Sequence, residues 1–438
     1  MSRLGEHGMK GVWRFGLLLA LAALPSAALA QGSGPGVDAG DTAWVLSATA
    51  LVLFMTLPGL ALFYAGLVRV KNSLSVMTHC VAVACLASVL WLAVGYSLAF
   101  APGTGWIGGL SKAGLLGVGR DAVTGRIPEI VFFMFQATFA VITPALIIGA
   151  YVERIKFEAV LLFSGLWLLV VYAPVTHWVW GGGWLAQRHV MDFAGGLVVH
   201  ATAGISALLI AQALGHRDGF PRELRPPHNP GMTMMGAGML WVGWYGFNGG
   251  SALAADANAG AALAATHLSA AAAGLTWALL ERVRFGRPSL VGLVTGVVAG
   301  LATVTPASGY VGPLGGIALG VAGSVVCFFA VDLVRHKLQI DDSLDVFAVH
   351  GVGGILGSFL VAPLAALQLG GAGYAPGMTP LSQLTVQALG VVAVCAWSAL
   401  GTLVILAVVR RVTGLRADRQ AIEDGLDLTH HGERAFTV

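Results

Sequence analysis

The sequence predicts an all-α membrane protein: eleven transmembrane helices forming an inverted five-helix repeat plus a final helix, with the N-terminus outside and the C-terminus inside. Three observations carry this. Of 438 residues, 57% are hydrophobic and only 10% charged, where a soluble domain averages about 25% charged. The charges leave a series of apolar windows, each near the ~20 residues a helix needs to cross the hydrocarbon core. Finally, a histidine-containing segment recurs in the two halves of the chain.

The first thirty residues stand apart. Arg3, Lys10 and Arg14 precede an apolar run over 15–24, then Pro25 and the small-residue triplet Ala28-Leu29-Ala30. This is the pattern of a cleaved signal peptide over 1–30, which puts the mature start near Gln31 outside. The alternative, an uncleaved first helix, has to accommodate a short apolar core that Pro25 interrupts.

Reading between charges and turn residues gives first-half windows at 43–68, 73–100, 130–151, 159–177 and 193–215. The second half has windows at 232–249, 257–280, 289–304, 313–331 and 346–366, and a last helix at 384–409. The eighth window is short. The repeats thus cover about 43–215 and 232–366 of a transport domain spanning 31–411, with a cytoplasmic tail at 412–438. Eleven crossings from an outside start place 17 Lys and Arg residues inside and four (Lys112, Arg120, Arg126, Arg188) outside; the signal segment holds the other three of the 24. That asymmetry satisfies the positive-inside rule, and an even number of crossings would scramble it.

Val199-His200 followed by Gly204-Ile205 recurs as Val349-His350 followed by Gly354-Ile355, an offset of 150 residues. Five windows separate the copies, so the second crosses in the opposite direction. Inverted repeats are a transport architecture in which the substrate path runs near the midplane between repeats. Glycines at helical spacing (Gly195, Gly196, Gly204; Gly351, Gly354, Gly357) let helices approach closely.

Ionisable groups inside spans are costly and call for an explanation. His200 and His350 occupy equivalent mid-span positions, and a neutral imidazole donates at one nitrogen and accepts at the other, which suits a hydrogen-bonded pair that passes protons. Asp192 lies eight residues before His200, about 12 Å along a helix, too far to touch it. It either stabilises a cation above the pore or caps the helix N-terminus. His79, His177 and His267 read as hydrogen-bonded core residues, and His228 sits beside a cytoplasmic loop. Cys80, Cys85, Cys327 and Cys395 have no Cys-x-x-Cys or Cys/His spacing and read as packing residues.

Phe135, Phe139, Trp180, Trp244 and Phe247 gather near the outer ends of the third, fourth and sixth windows. Aromatic faces attract a cation by about 0.5–2 kcal/mol, although aromatics are also ordinary interface anchors. A net charge of +3 with basic residues distributed by topology gives no support to nucleic-acid binding. No His-Glu-x-x-His or other compact ligand motif is present, so neither a metal nor a cofactor is expected, and a membrane metalloenzyme using His200, His350 and Asp192 is a remote alternative.

Along nearly the whole mature chain the sequence resembles the Amt/Mep/Rh ammonium transporter family. The segments that carry the resemblance are Ala61-Leu62-Phe63-Tyr64-Ala65-Gly66-Leu67-Val68-Arg69 with Lys71-Asn72, and Asp192-Phe193-Ala194-Gly195-Gly196 through His200. Gly243-Trp244-Tyr245-Gly246-Phe247-Asn248, Thr305-Pro306-Ala307-Ser308-Gly309-Tyr310, Asp345-Val346-Phe347-Ala348-Val349-His350-Gly351, and Gly425-Leu426-Asp427 with His431-Gly432-Glu433 complete them. Trp180 makes the chain similar to the bacterial Amt branch, since the Rhesus branch generally lacks an aromatic there.

The resemblance implies an outer recruitment site for ammonium from Phe139, Trp180 and Ser251 with Phe135 close by. It implies a gate of Phe139 and Phe247, support from Asp192, a pore lined by His200 and His350, and Trp244 as a wall residue. It further implies a homotrimer with one pore per subunit in the bilayer of a bacterial inner membrane. The tail would bind a PII signal-transduction protein, with solvated disorder as the alternative. The expected function is ammonium transport without enzymatic activity: recruitment, deprotonation, conduction of ammonia through an apolar pore and proton relay by the twin histidines, a net electrogenic uptake. The alternative is an ammonium sensor that signals through the tail with low flux.

Overall fold

A computed structural model describes residues 36–222 and 226–435; the expected signal peptide at 1–30 lies outside the described residues. Among these, nine helices are long and apolar enough to cross a membrane. They are α1 (Ala39–Leu67), α2 (Val70–Phe100), α3 (Glu129–Tyr151), α4 (Phe157–Val179), α5 (Gly196–Leu214), α7 (Ala257–Phe285), α9 (Pro313–Lys337), α10 (Phe347–Leu364) and α11 (Pro380–Val412). Two more apolar helices complete the set: α6 (Pro230–Trp244), extended by a π-turn at Tyr245–Gly249, and α8 (Leu290–Val304). The chain is a multi-pass helical membrane protein, and each of the eleven sequence windows falls on a helix.

Helix ends follow local chemistry. Asp38, Asn229, Asp256, Ser289 and Thr379 each accept a first-turn backbone N–H with the side chain, satisfying donors that have no partner within the helix. α5 begins at Gly196, three residues later than its apolar window, because Gly195 has φ +115°. Left-handed backbone of this kind ends regular structure and favours glycine.

The core is one large apolar cluster with three small satellites, and α3 is buried along nearly its whole length. Across it, α5 and α10 run antiparallel and cross at glycines. A Cβ on Gly204 would collide with the Gly351 backbone, and one on Gly354 would lie 2.6 Å from the His200 Cβ. The 150-residue offset carries Gly204, beside His350 and Gly351, onto Gly354, beside His200 and Ala201, so the crossing is a pseudo-two-fold centre of the fold.

On the face that carries the tail, Arg154 is fully buried between α3 and α4. Its guanidinium donates to the carbonyls of Gly215, Val152, Ala150 and Asp341 and to the Ser343 hydroxyl, at 2.5–3.2 Å. Burial lowers its pKa to about 10, so it stays cationic at neutral pH. The tail is ordered over the described residues. Ala417 N–H donates to Arg154 O at 2.9 Å, and short helices α12 (Arg419–Asp424) and α13 (Leu426–His431) follow. Asp427 accepts the Leu74 and Ser75 N–H groups at 3.1 and 2.6 Å, so the tail caps α2. The reading of the tail as solvated disorder is therefore not what the structure has.

A Gly204→Val substitution pushes α5 off α10 and is expected to cost about 1–3 kcal/mol, the usual penalty of overpacking, lowering the midpoint of thermal unfolding in detergent. Unfolding at the wild-type temperature would show that the crossing is slack.

Candidate functional site

His200 lies in a π-turn, Gly196–Ala201, at the head of α5, and His350 in another, Phe347–Gly351, at the head of α10. The His200 N–H donates five residues back, to Gly195 O at 2.9 Å. Such widened turns are frequent at functional sites. The crossing glycines then bring the rings together: Nδ1 faces Nδ1 at 3.3 Å, with centroids 5.2 Å apart and planes 19° from parallel. The residues are 1% and 4% exposed.

Two neutral imidazoles in Nδ1-to-Nδ1 contact need one proton between them. The donating ring then has a bare Nε2 and the accepting ring carries its proton on Nε2. The pair therefore offers an acceptor on one ring and a donor on the other. His200 Nε2 is buried and has no hydrogen-bond partner among the described residues.

Aromatic rings cover the pair. Phe139 of α3 and Phe247 of the turn after α6 lie 4.4 Å apart, Phe139 meets Trp180 edge-on at 5.7 Å, and Phe135 meets Phe139 at 5.1 Å. Phe247 also stacks over His200 at 6.1 Å, and Trp244 stacks on it at 5.6 Å with a 22° angle. Ser251 Oγ donates to Phe247 O at 2.7 Å; its proton is thus engaged and its remaining lone pair suits a donor such as a cation's N–H. Trp180, Trp244 and Ser251 are partly buried, fully buried and partly buried respectively.

Asp192 takes the second of its two sequence readings, the helix cap. Its oxygens accept the N–H groups of Gly195, Gly196, Leu197 and Val198 at 3.2, 2.6, 3.0 and 3.0 Å, so the carboxylate caps α5. Burial pushes its pKa up to about 6 against the pull of those four bonds. Through its backbone carbonyl it also accepts the Trp180 indole N–H at 2.8 Å, fixing one wall of the aromatic cluster.

One partner escaped the sequence reading. Asp342 stands eight residues before His350, as Asp192 does before His200, and accepts Phe347 N–H at 2.6 Å at the head of α10. The same 150-residue offset that paired the histidines would have found it. The remaining histidines are placed elsewhere: His177 bonds the Ala99 and Thr104 carbonyls, and His267 bonds Tyr245. Cys80 and Cys327 are buried.

Beyond the histidines, a cavity of about 700 Å³ opens toward the tail, with His350, Tyr64, Arg69, Glu153, Arg217 and Asp345 among its lining. Arg217 grips Asp341 at 2.8 Å and Glu153 at 3.5 Å, and Arg69 meets Glu153 at 2.9 Å. Burial raises the Glu153 pKa, but the two guanidiniums outweigh it and hold the carboxyl below its ordinary value. Among the described residues no group of three or more His, Cys, Asp or Glu could hold a metal ion.

Fold and site define a class: a polytopic membrane protein whose two halves meet at a buried histidine pair, roofed by aromatics and opening on a polar vestibule. The Ammonium Transporter Family model matches residues 43–436. An ammonium transporter of Bacillus subtilis is 44% identical over 402 residues, spanning 91% of this chain and 98% of the relative, and one of Aquifex aeolicus is 42% identical over 439 residues, spanning 98% and 100%. Among solved structures, Candida albicans Mep2 has TM-score 0.82 at 38% identity over 88% of each chain. A structure described as a sensor Amt protein has TM-score 0.83 at 29% identity over 90% of this chain and 98% of that one. The chain belongs to the Ammonium Transporter Family, which is a family of membrane transporters.

Replacing Asp192 with Ala strands four buried amides. Because hydrogen bonds to a charged group are worth about 1.5–3 kcal/mol, detergent unfolding is expected at clearly lower temperature, with Asp192→Asn falling between. Equal stability of all three would show that the cap is dispensable.

Proposed function

We propose that this protein takes up ammonium across a bacterial inner membrane. The observation that carries the reading is the stack of Phe139 and Phe247 above a histidine pair that is buried, in Nδ1-to-Nδ1 contact, and next to an unpartnered Nε2. Family membership supports the substrate. The eleven helices serve as eleven crossings with the mature N-terminus outside and the tail inside, an orientation supported by the 17-to-4 division of basic residues.

In this reading Phe139 and Trp180, with Phe135 behind them, hold ammonium by cation–π attraction while Ser251 accepts one of its hydrogen bonds. Phe139 and Phe247 form the gate below. Moving an unpaired cation into an apolar interior costs far more than moving a neutral amine, so ammonium gives up its proton near the gate and ammonia continues past Trp244 and the histidines. A proton arriving at the bare Nε2, with another leaving the partner ring's Nε2, carries one charge across. The shared proton crosses the Nδ1–Nδ1 contact in the same step, and a turn of the rings, not a back-transfer of the proton, restores the pair, so uptake is electrogenic. Asp192 acts indirectly, by holding the head of α5 and Trp180.

The protein works as a homotrimer with one pore per subunit, and a PII signal-transduction protein binds at the vestibule and tail. The docked tail and the likeness to a structure described as a sensor favour one further role, ammonium sensing with low flux. Transport needs pore and gate only, whereas sensing needs the tail.

Two measurements test these readings. In proteoliposomes an ammonium pulse should give a selective current that vanishes or loses selectivity when His200 and His350 are both replaced by Leu; an unchanged selective current refutes the proton relay. Deletion of 412–438 should leave ammonium flux within about threefold of wild type if transport is the main role, a change worth less than ~1 kcal/mol. A wild type with negligible flux before deletion would favour sensing.

A further inference from the structure

α8 ends at Val304, and the next residue, Thr305, is fully buried. Its hydroxyl donates to Leu301 O at 2.7 Å and accepts the Trp244 indole N–H at 2.9 Å. The first bond uses the only proton of the hydroxyl, so the oxygen can meet the indole only as an acceptor, with its lone pairs directed by the bond to Leu301. The partner of that bond is the ring that stacks on His200 at 5.6 Å and meets Phe247 at 5.5 Å.

The segment after Thr305 is tied to the other side of the same site. Pro306 packs against Gly196, where a Cβ would lie 2.5 Å from the proline Cγ, and Pro306 O accepts Phe193 N–H at 3.0 Å. Gly196 N–H is itself held by Asp192. Thus Thr305 and Pro306 join the indole wall to the capped head of α5, on which His200 rides.

A second Thr-Pro-Ala triplet, Thr143-Pro144-Ala145, lies 162 residues earlier in α3. Thr143 makes the same back-bond, to Phe139 O at 2.6 Å, and its hydroxyl meets the Tyr172 hydroxyl rather than an indole. The shared back-bond fixes a helix beside a proline that cannot donate; only the Thr305 hydroxyl also receives an indole. Helix chemistry alone explains the triplet, and it does not explain that second bond.

We propose that Thr305 is a positioning residue for conduction: its hydroxyl locks the Trp244 indole parallel to His200, keeping that ring desolvated and closing the wall between gate and histidine pair. Without the bond, the buried indole N–H turns to find another partner, the stack opens and water reaches His200. This rests on the transport reading above.

The test is a double-mutant cycle in proteoliposomes, comparing ammonium and potassium currents for wild type, Thr305→Val, Thr305→Ser, Trp244→Phe and the double variant. Thr305→Val keeps the shape and removes the acceptor. Its ammonium current should fall about tenfold, the order expected for stranding one buried donor, while the potassium-to-ammonium ratio rises at least as much. Thr305→Ser should keep the wild-type ratio. Trp244→Phe removes the donor from the other side, so adding Thr305→Val to it should change the ratio no further, and this variant answers the question if Thr305→Val does not fold. Ammonium and potassium currents falling in equal proportion, or additive effects in the double variant, would overturn the proposal. A wild type that carries no ammonium current overturns the transport reading first, and this inference with it.

Discussion

Where α5 and α10 cross, there is no room for a side chain at Gly204 or Gly354, and the rest of the site follows from that closeness. Helices normally pack 8–10 Å apart. Glycines at a crossing allow a shorter approach, and they do so in both repeats at once because the contacts exchange between the halves. With the axes this near, side chains four residues before Gly204 and Gly354 must share one space. Those side chains are His200 and His350, and a 3.3 Å contact between their rings is the result.

Closeness alone would leave the helix heads buried in the protein with free amides. The two aspartates resolve this conflict symmetrically, each eight residues before its histidine. A carboxylate that spends itself on helix amides is held rigidly, and the wall around it inherits that rigidity. Trp180 is bonded to the Asp192 carbonyl, and Pro306 packs on the capped glycine. The site is therefore a single mechanical unit in which cap, aromatic roof and histidine pair share bonds.

The two ends of this unit differ in chemistry although the backbone is pseudo-symmetric. One end is roofed by Phe135, Phe139, Trp180 and Phe247. The other opens into a cavity bordered by Arg69, Glu153, Arg217 and Asp345, close to the tail. Aromatic faces favour a desolvated cation, and a charged, wet vestibule favours a solvated one. In the uptake proposed above, that difference assigns recruitment to the aromatic end and release to the end beside the tail, without any asymmetry at the histidines.

The sequence by itself determined a helical membrane protein, the windows that became helices, the inverted relation of the halves and the candidate pair His200 and His350. Hydrophobic runs, charge placement and an exact residue offset are properties of the chain that need no knowledge of contacts. The same offset relates Asp342 to Asp192. What only the tertiary structure decided is how side chains at separate positions use their hydrogen bonds. Asp192 caps its helix with both oxygens, α5 starts three residues after its apolar window because Gly195 is left-handed, the tail docks as a cap on α2, and Thr305 takes the indole of Trp244. The last two depend on which donor lies within about 3 Å of which acceptor, and such distances between residues 61 or 353 positions apart are set by packing, which periodicity and composition do not encode.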